Sequence, residues 1–204
     1  MPKFDPSRRR LGLAALAGMA LLAAPASRTA VAATGSATAP NPGPPDAATP
    51  AELTRHLPTA RLWGNGSFRF FGLRIYDLHL WAAPGFAAID YAQHPFALSL
   101  LYARRFSGAD IASRSIQEMR RIETIAPDQA SRWLSDMGQA FPDVREGDRL
   151  TGLNQPGQAV RFFHNGQPTR AIEGAAFARL FFGIWLAPQT SEPGLRQQLL
   201  AGRT

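Results

Sequence analysis

The 204-residue chain carries 22 Lys or Arg against 15 Asp or Glu, 45% hydrophobic residues, 17 prolines and no cysteine. Disulfide scaffolds, thiolate nucleophiles and Cys-ligated metals are therefore excluded, and with 18% charged and 10% aromatic residues the chain is too apolar for a solvated, disordered polymer. The body of the chain is expected to be one soluble globular domain.

In chain order, Ser7-Arg8-Arg9-Arg10-Leu11-Gly12-Leu13 sets basic residues directly before an apolar run from Leu11 to Ala26, and small residues follow as Ala30-Val31-Ala32-Ala33. Basic, then apolar, then small is the order of a cleaved export signal over residues 1–33, and Ser-Arg-Arg-x-Leu resembles the twin-arginine type. The run is roughly 16 residues, rich in Ala and Gly, against the ~20 a stable span needs, so no membrane anchor is expected after cleavage. The expected address is the periplasm. Cleavage would remove Lys3, Arg8, Arg9, Arg10 and Arg28 against Asp5 alone, which lowers the formal charge from +7 to +3. The remaining basic residues are scattered, without the stripe and stacking aromatics that nucleic-acid binding requires.

Residues 34–50 are Ala, Thr, Pro and Gly with one acid, Asp46, a composition expected of a disordered linker. The remainder, 51–204, is expected to form the domain. Arg61 to Phe71 and Leu73 to Trp81 alternate around Gly64, Gly66 and Gly72, which predicts two antiparallel strands joined by a tight turn, with Tyr76, Leu78 and Leu80 on one face. Phe96 to Tyr102, apolar on both faces, reads as a central strand. Ser107 with Asp110 is an N-cap pattern. The helix it opens places Ile111, Ile116, Met119 and Ile122 on its apolar face and Arg114, Glu118 and Arg121 on the polar one.

Pro127 opens a second helix whose stripe is Ala130, Trp133, Leu134, Met137 and Phe141, ended by Pro142. Arg149 to Asn154, Ala159 to Phe163 and Pro168 to Ile172 form a meander turned by Pro156-Gly157 and Asn165-Gly166. Gly174 to Trp185 and Pro193 to Leu200 are two last helices. Strands, helices, strands, helices is the order of an α+β domain with helices packed on one face of an antiparallel sheet.

Little of the chain carries catalytic or metal chemistry. His56, His79, His94 and His164 lack ligand spacing, and no cofactor is implied. Asp143, Glu146 and Asp148 flank Gly147 and read as a solvated turn. No G-x-S-x-G is present, and Ser107 is explained as a cap. Gly64-Asn65-Gly66 opens onto a strand, so it lacks the helix dipole a nucleotide phosphate would use. Trp63, Phe68, Phe70, Phe71 and Trp81 either pack a core or line a cleft. Arg69, Arg74, Tyr76 and Tyr102 add polar groups to apolar strands, and a guanidinium with a phenol at an apolar slot suits an amphipathic acid.

Gly64-Asn65-Gly66 through Gly72-Leu73-Arg74-Ile75-Tyr76-Asp77-Leu78-His79-Leu80-Trp81 resembles the opening strands of the chalcone isomerase-like superfamily, in its exported bacterial branch. Gly147-Asp148-Arg149-Leu150, Phe162 to Gly166, Phe182-Gly183-Ile184-Trp185-Leu186 and Pro193-Gly194-Leu195-Arg196 agree, so the likeness spans about Leu62 to Gly202. It implies an open-faced β-sandwich, an antiparallel sheet covered by helices with a ligand cleft between them. The superfamily holds enzymes that close a chalcone to a flavanone and relatives that bind fatty acids without catalysis.

The arginine that polarises substrate in those enzymes falls at Phe68, with Arg69 one residue away and on the opposite face. The threonine falls at Tyr76, the tyrosine near Phe106 and the asparagine near Ser113. Loss of an electrostatic stabiliser costs about 3 to 4 kcal/mol in the barrier, so efficient cyclisation is not expected unless a bulge near Gly72 returns Arg69 to the cleft. The expectation is a binder of a small hydrophobic or amphipathic molecule such as a fatty acid, contacted by Phe68, Arg69, Tyr76, Leu78, Tyr102, Phe106 and Ser113. The alternatives are an isomerase-type intramolecular lyase using Arg69 and Tyr76, and an envelope interaction module.

Overall fold

In the computed structural model, which describes residues 49–202, alternation of apolar and polar residues produces six strands in one antiparallel meander, and every element below lies within those residues. The expected export signal and nearly all of the expected linker lie outside the described residues. The strands are β1 (Arg61–Phe70), β2 (Leu73–Ala82), β3 (Phe96–Tyr102), β4 (Arg149–Asn154), β5 (Val160–His164) and β6 (Gln167–Ile172). They are hydrogen-bonded in sequence order, so each strand pairs only with its chain neighbours. The helices are α1 (Ala51–His56), α2 (Gly108–Ile122), α3 (Pro127–Ala140), α4 (Ala175–Leu186) and α5 (Pro193–Leu200), with a kinked 3₁₀ segment over Ala88–Gln93.

Side chains alternate across a pleated sheet, so each strand feeds two layers. Leu78, Leu80, Phe96, Leu98, Leu100, Leu150 and Phe162 join Met119, Met137, Phe177 and Phe182 from the helices in the main core. Trp81, Ala97, Leu153 and Phe163 point the other way and pack with Leu53 of α1 and with Leu57 just after it. Helices were expected on one face only. The short α1 covers part of the reverse face because Leu53, with Leu57 at its C-terminal cap, gives it an apolar side too brief to register as a periodic pattern.

A buried ionic contact holds α1 in place. The Glu52 carboxylate accepts from the Thr151 hydroxyl at 2.8 Å and from Arg149 at 3.3 Å, and the Thr151 hydroxyl lies 3.1 Å from Ser99 Oγ. A carboxylate removed from water needs such partners.

The opening glycines serve packing. A Cβ on Gly64 would strike the Leu199 carbonyl of α5, and one on Gly66 would strike Gln198 and Leu195. The G-x-G pair thus lets the last helix lie directly on β1. Gly108 plays the same part at the start of α2, where a Cβ would strike the carbonyl of Phe141 after α3. Ser107 caps α2 as expected, accepting from the Asp110 amide at 3.1 Å, and Asp143 accepts from the Gly108 amide at 2.9 Å. Asp143 is therefore a capping residue, and Asp148 binds Asn165 and His164. Asp143 and Asp148 thus make separate structural contacts, and Glu146 is exposed to solvent.

Candidate ligand-binding cleft

Between the helix-covered face of the sheet and α2 and α4 lies a cavity of about 390 Å³, near the lower end of the range for small-molecule sites. Its apolar wall comes from Leu98, Leu100, Leu150 and Phe162 on the strands and from Phe181, Phe182 and Trp185 on α4. Phe68 and Phe70 of β1, with Ile75 and Tyr76 of β2, close one end. Exposed Phe70, Asp110 and Arg114 lie where the cavity meets solvent.

A β-bulge shapes that end. Phe68 pairs with Tyr76 and Arg69 with Arg74, which leaves Ile75 as the extra residue on β2. An inserted residue reverses face parity, and so the consecutive residues Ile75 and Tyr76 both line the cavity. A bulge near Gly72 was the one device that could have returned Arg69 to the cleft. It falls instead on the partner strand and recruits Ile75. Arg69 stays exposed, its guanidinium donating to the Gly72 carbonyl at 3.4 Å.

Two phenols stand on the cavity wall with their rings 5.9 Å apart. The Trp185 indole N–H donates to the Tyr76 hydroxyl oxygen at 3.0 Å, which leaves the Tyr76 proton free to donate. The Tyr102 hydroxyl makes no hydrogen bond among the described residues. Burial pushes the Tyr76 phenol well above its ordinary value. The Trp185 bond opposes that shift, the carboxylates of Glu192 and Glu118 add to it, and Arg114 opposes it. Burial also raises Tyr102, with Tyr76 adding to it. Both phenols are therefore neutral donors at physiological pH.

The charged groups around them include Glu118, whose side chain is only 8% exposed although its helical position predicts a solvent face. It is held by Arg114 at 2.6 Å and Arg121 at 3.6 Å, and those long side chains reach over from the exposed surface. Asp110, Glu118 and Glu192 line the cavity against a single lining arginine, Arg114.

Of the expected contacts, Phe68, Tyr76, Tyr102 and Phe106 line the cavity together. Three do not. Arg69 points away because it alternates with Phe68 and Phe70. Leu78 is fully buried in the core beyond the cavity wall, and Ser113 is exposed on the outer side of α2, two residues from the cavity-lining Ser115. Trp81 packs against α1 on the reverse face, and Trp63 stacks edge-on against Phe86. Sequence reasoning missed Ile75, Arg114, Ser115 and Glu118 as lining residues. It quoted Trp185 only within a motif, without its bond to Tyr76.

The geometry defines an α+β protein whose single sheet and helical cover enclose an apolar cleft with phenolic donors. The chalcone isomerase-like family matches residues 73–201, and the chain belongs to that family. An uncharacterized protein of Haemophilus influenzae is 29% identical over 141 residues, which cover 69% of this chain and 67% of that protein. Among solved structures, a fatty-acid binding protein of Arabidopsis thaliana shares the fold with a TM-score of 0.54 at 10% identity, over 70% of this chain and 87% of that one.

Proposed function

We propose that this chain is an exported carrier that holds one small hydrophobic or amphipathic molecule, of the fatty-acid or related single-chain class, in the cavity between sheet and helices. The observation that carries the reading is the pairing of an apolar wall with two neutral phenols, Tyr76 and Tyr102, whose donor capacity is unused among the described residues. Burial of the tail supplies affinity at about 25 cal/mol per Å² of apolar surface, and the phenols fix the head. Membership of a family whose fold is shared by a fatty-acid binding protein supports the same reading. The basic, apolar and small-residue order of residues 7–33 supports an export signal and a periplasmic address, with 34–50 as the tether.

The lyase alternative relied on Arg69 to polarise the substrate. That guanidinium is outside the cleft, and the one lining arginine, Arg114, is paired with Glu118. The carrier reading is tested by titrating the protein with a fluorescent fatty acid. One molecule should bind per chain, and Leu100→Phe, which fills the cavity from β3, should reduce uptake at least tenfold while the protein stays folded. Failure of the wild type to bind any single-chain lipid would refute it.

A further inference from the structure

The turn between β1 and β2 sets a phenylalanine where neither backbone nor packing favours one. Phe70 pairs with Leu73, so Phe71-Gly72 is a two-residue hairpin loop, and both residues have positive φ, 47° and 77°. This is the conformation in which Asn-Gly is preferred, and the β5–β6 hairpin of the same chain uses Asn165-Gly166 there, at 50° and 83°. A bulky side chain in the left-handed region is an outlier that the surroundings must impose. Nothing around Phe71 does so among the described residues. It is 89% exposed, touches Phe70 edge-on at 4.5 Å, and is flanked by Phe70 at 58% and Leu73 at 51% exposure.

Positive charge surrounds this apolar tip. The Arg69 guanidinium folds back to the Gly72 carbonyl, and the exposed Arg104 donates to the Arg74 carbonyl at 3.3 Å. Arg74 is neutralised by Asp77 at 3.2 Å, and Asp77 also accepts from Ser67 at 2.6 Å. Arg69 and Arg104 make no ion pair among the described residues. Aromatic and aliphatic side chains projecting from a hairpin, with guanidiniums one layer behind, match the depth profile of a bilayer with anionic headgroups. No helix among the described residues is long and apolar enough to cross a membrane. Contact through such a tip would be peripheral.

We propose that the Phe70–Leu73 hairpin tip is a membrane-docking finger that inserts into the interface of an anionic phospholipid bilayer. Phe70 belongs both to the tip and to the cavity wall, so docking brings the cavity entrance to the lipid surface. The docking itself does not depend on what the cavity holds.

The test is co-sedimentation of the protein in its exported form with vesicles of phosphatidylcholine, alone or mixed equally with phosphatidylglycerol, alongside thermal melting. The wild type binds the mixed vesicles, and binding weakens with added salt. Phe71→Asn places a residue suited to positive φ in the turn, so it melts no lower than the wild type yet binds the mixed vesicles about tenfold more weakly. Arg69→Gln and Arg104→Gln each lower binding about fivefold, on the mixed vesicles only. Absence of wild-type binding to mixed vesicles, or binding that Phe71→Asn leaves unchanged, overturns the proposal. So does a wild type that dimerises through this tip, becomes monomeric in Phe71→Asn and ignores vesicles.

Discussion

Tyr76 and Tyr102 differ in one hydrogen bond, and removing each hydroxyl separates stability from ligand binding. In Tyr76→Phe the Trp185 indole N–H, on a residue 7% exposed, loses its acceptor at 3.0 Å. A buried donor left unsatisfied costs about 1–3 kcal/mol, so the ligand-free protein should lose about 2 kcal/mol, or roughly 4–8 °C in Tm for a domain of this size. Tyr102→Phe removes a hydroxyl without a partner among the described residues, from a side chain that burial keeps neutral. The ligand-free protein should then be unchanged or gain up to about 1 kcal/mol. On the proposed carrier function both variants forfeit a bond to the ligand head and should bind a fluorescent fatty acid about fivefold more weakly, as expected for ~1 kcal/mol. Differential scanning fluorimetry without ligand and a displacement titration on the same samples read the two effects. Equal destabilisation by both substitutions, with affinity unchanged in both, would refute the placement of the phenols on the binding wall.

Three other outcomes follow from the packing and the charges. Gly64→Ala drives a Cβ into the Leu199 carbonyl and should cost about 1–3 kcal/mol by lifting α5, measured by urea denaturation; an unperturbed midpoint would contradict the role given to the glycine pair. His79 is held below its ordinary 6.5 by burial, with Arg149 acting in the same direction and Asp77 against it. The unfolded chain therefore takes up more protons than the folded one as pH falls below about 6.5; stability is complete above that value and declines beneath it. His56 shifts in the same direction, mainly by burial. His79→Gln should flatten the fall in Tm between about pH 7.5 and 5.5, and an unchanged slope would remove His79 as its source. Because Asp110, Glu118 and Glu192 outnumber Arg114 around the cavity, a long-chain alcohol should compete at pH 8 at least as well as the matching carboxylate; a carboxylate tenfold tighter would show that Arg114 leaves Glu118 to bind it.

Strong periodicities made most of the fold legible. The strand Phe96–Tyr102, the helix opened by Ser107 and the helix running from Pro127 to Ala140 appear where alternation, capping and an apolar stripe place them. The cleft was harder to read, because a one-residue bulge changes which side chains face inward without leaving a mark in the hydropathy pattern. The alternation that put Arg69 opposite Phe68 was sound. No pattern in the residues, however, distinguished a bulge at Ile75 from one near Gly72. Glu118 was misplaced for a related reason: a carboxylate on a helix reads as solvated unless the arginines that accompany it inward, Arg114 and Arg121, are recognised as its partners. Leu134 erred the other way, sitting on the α3 stripe yet 40% exposed. Ser113 lies on the helix that lines the cavity but is exposed on its outer side, and Ser115, two positions on, lines the cavity.

Native mass spectrometry of the protein purified from the cells that make it, followed by solvent extraction and analysis of whatever is released, addresses the carrier role most directly. A single stoichiometric adduct of single-chain lipid mass, lost in Leu100→Phe, is the predicted result. A bare polypeptide mass, together with no uptake of added fatty acid, alcohol or ester, would contradict it.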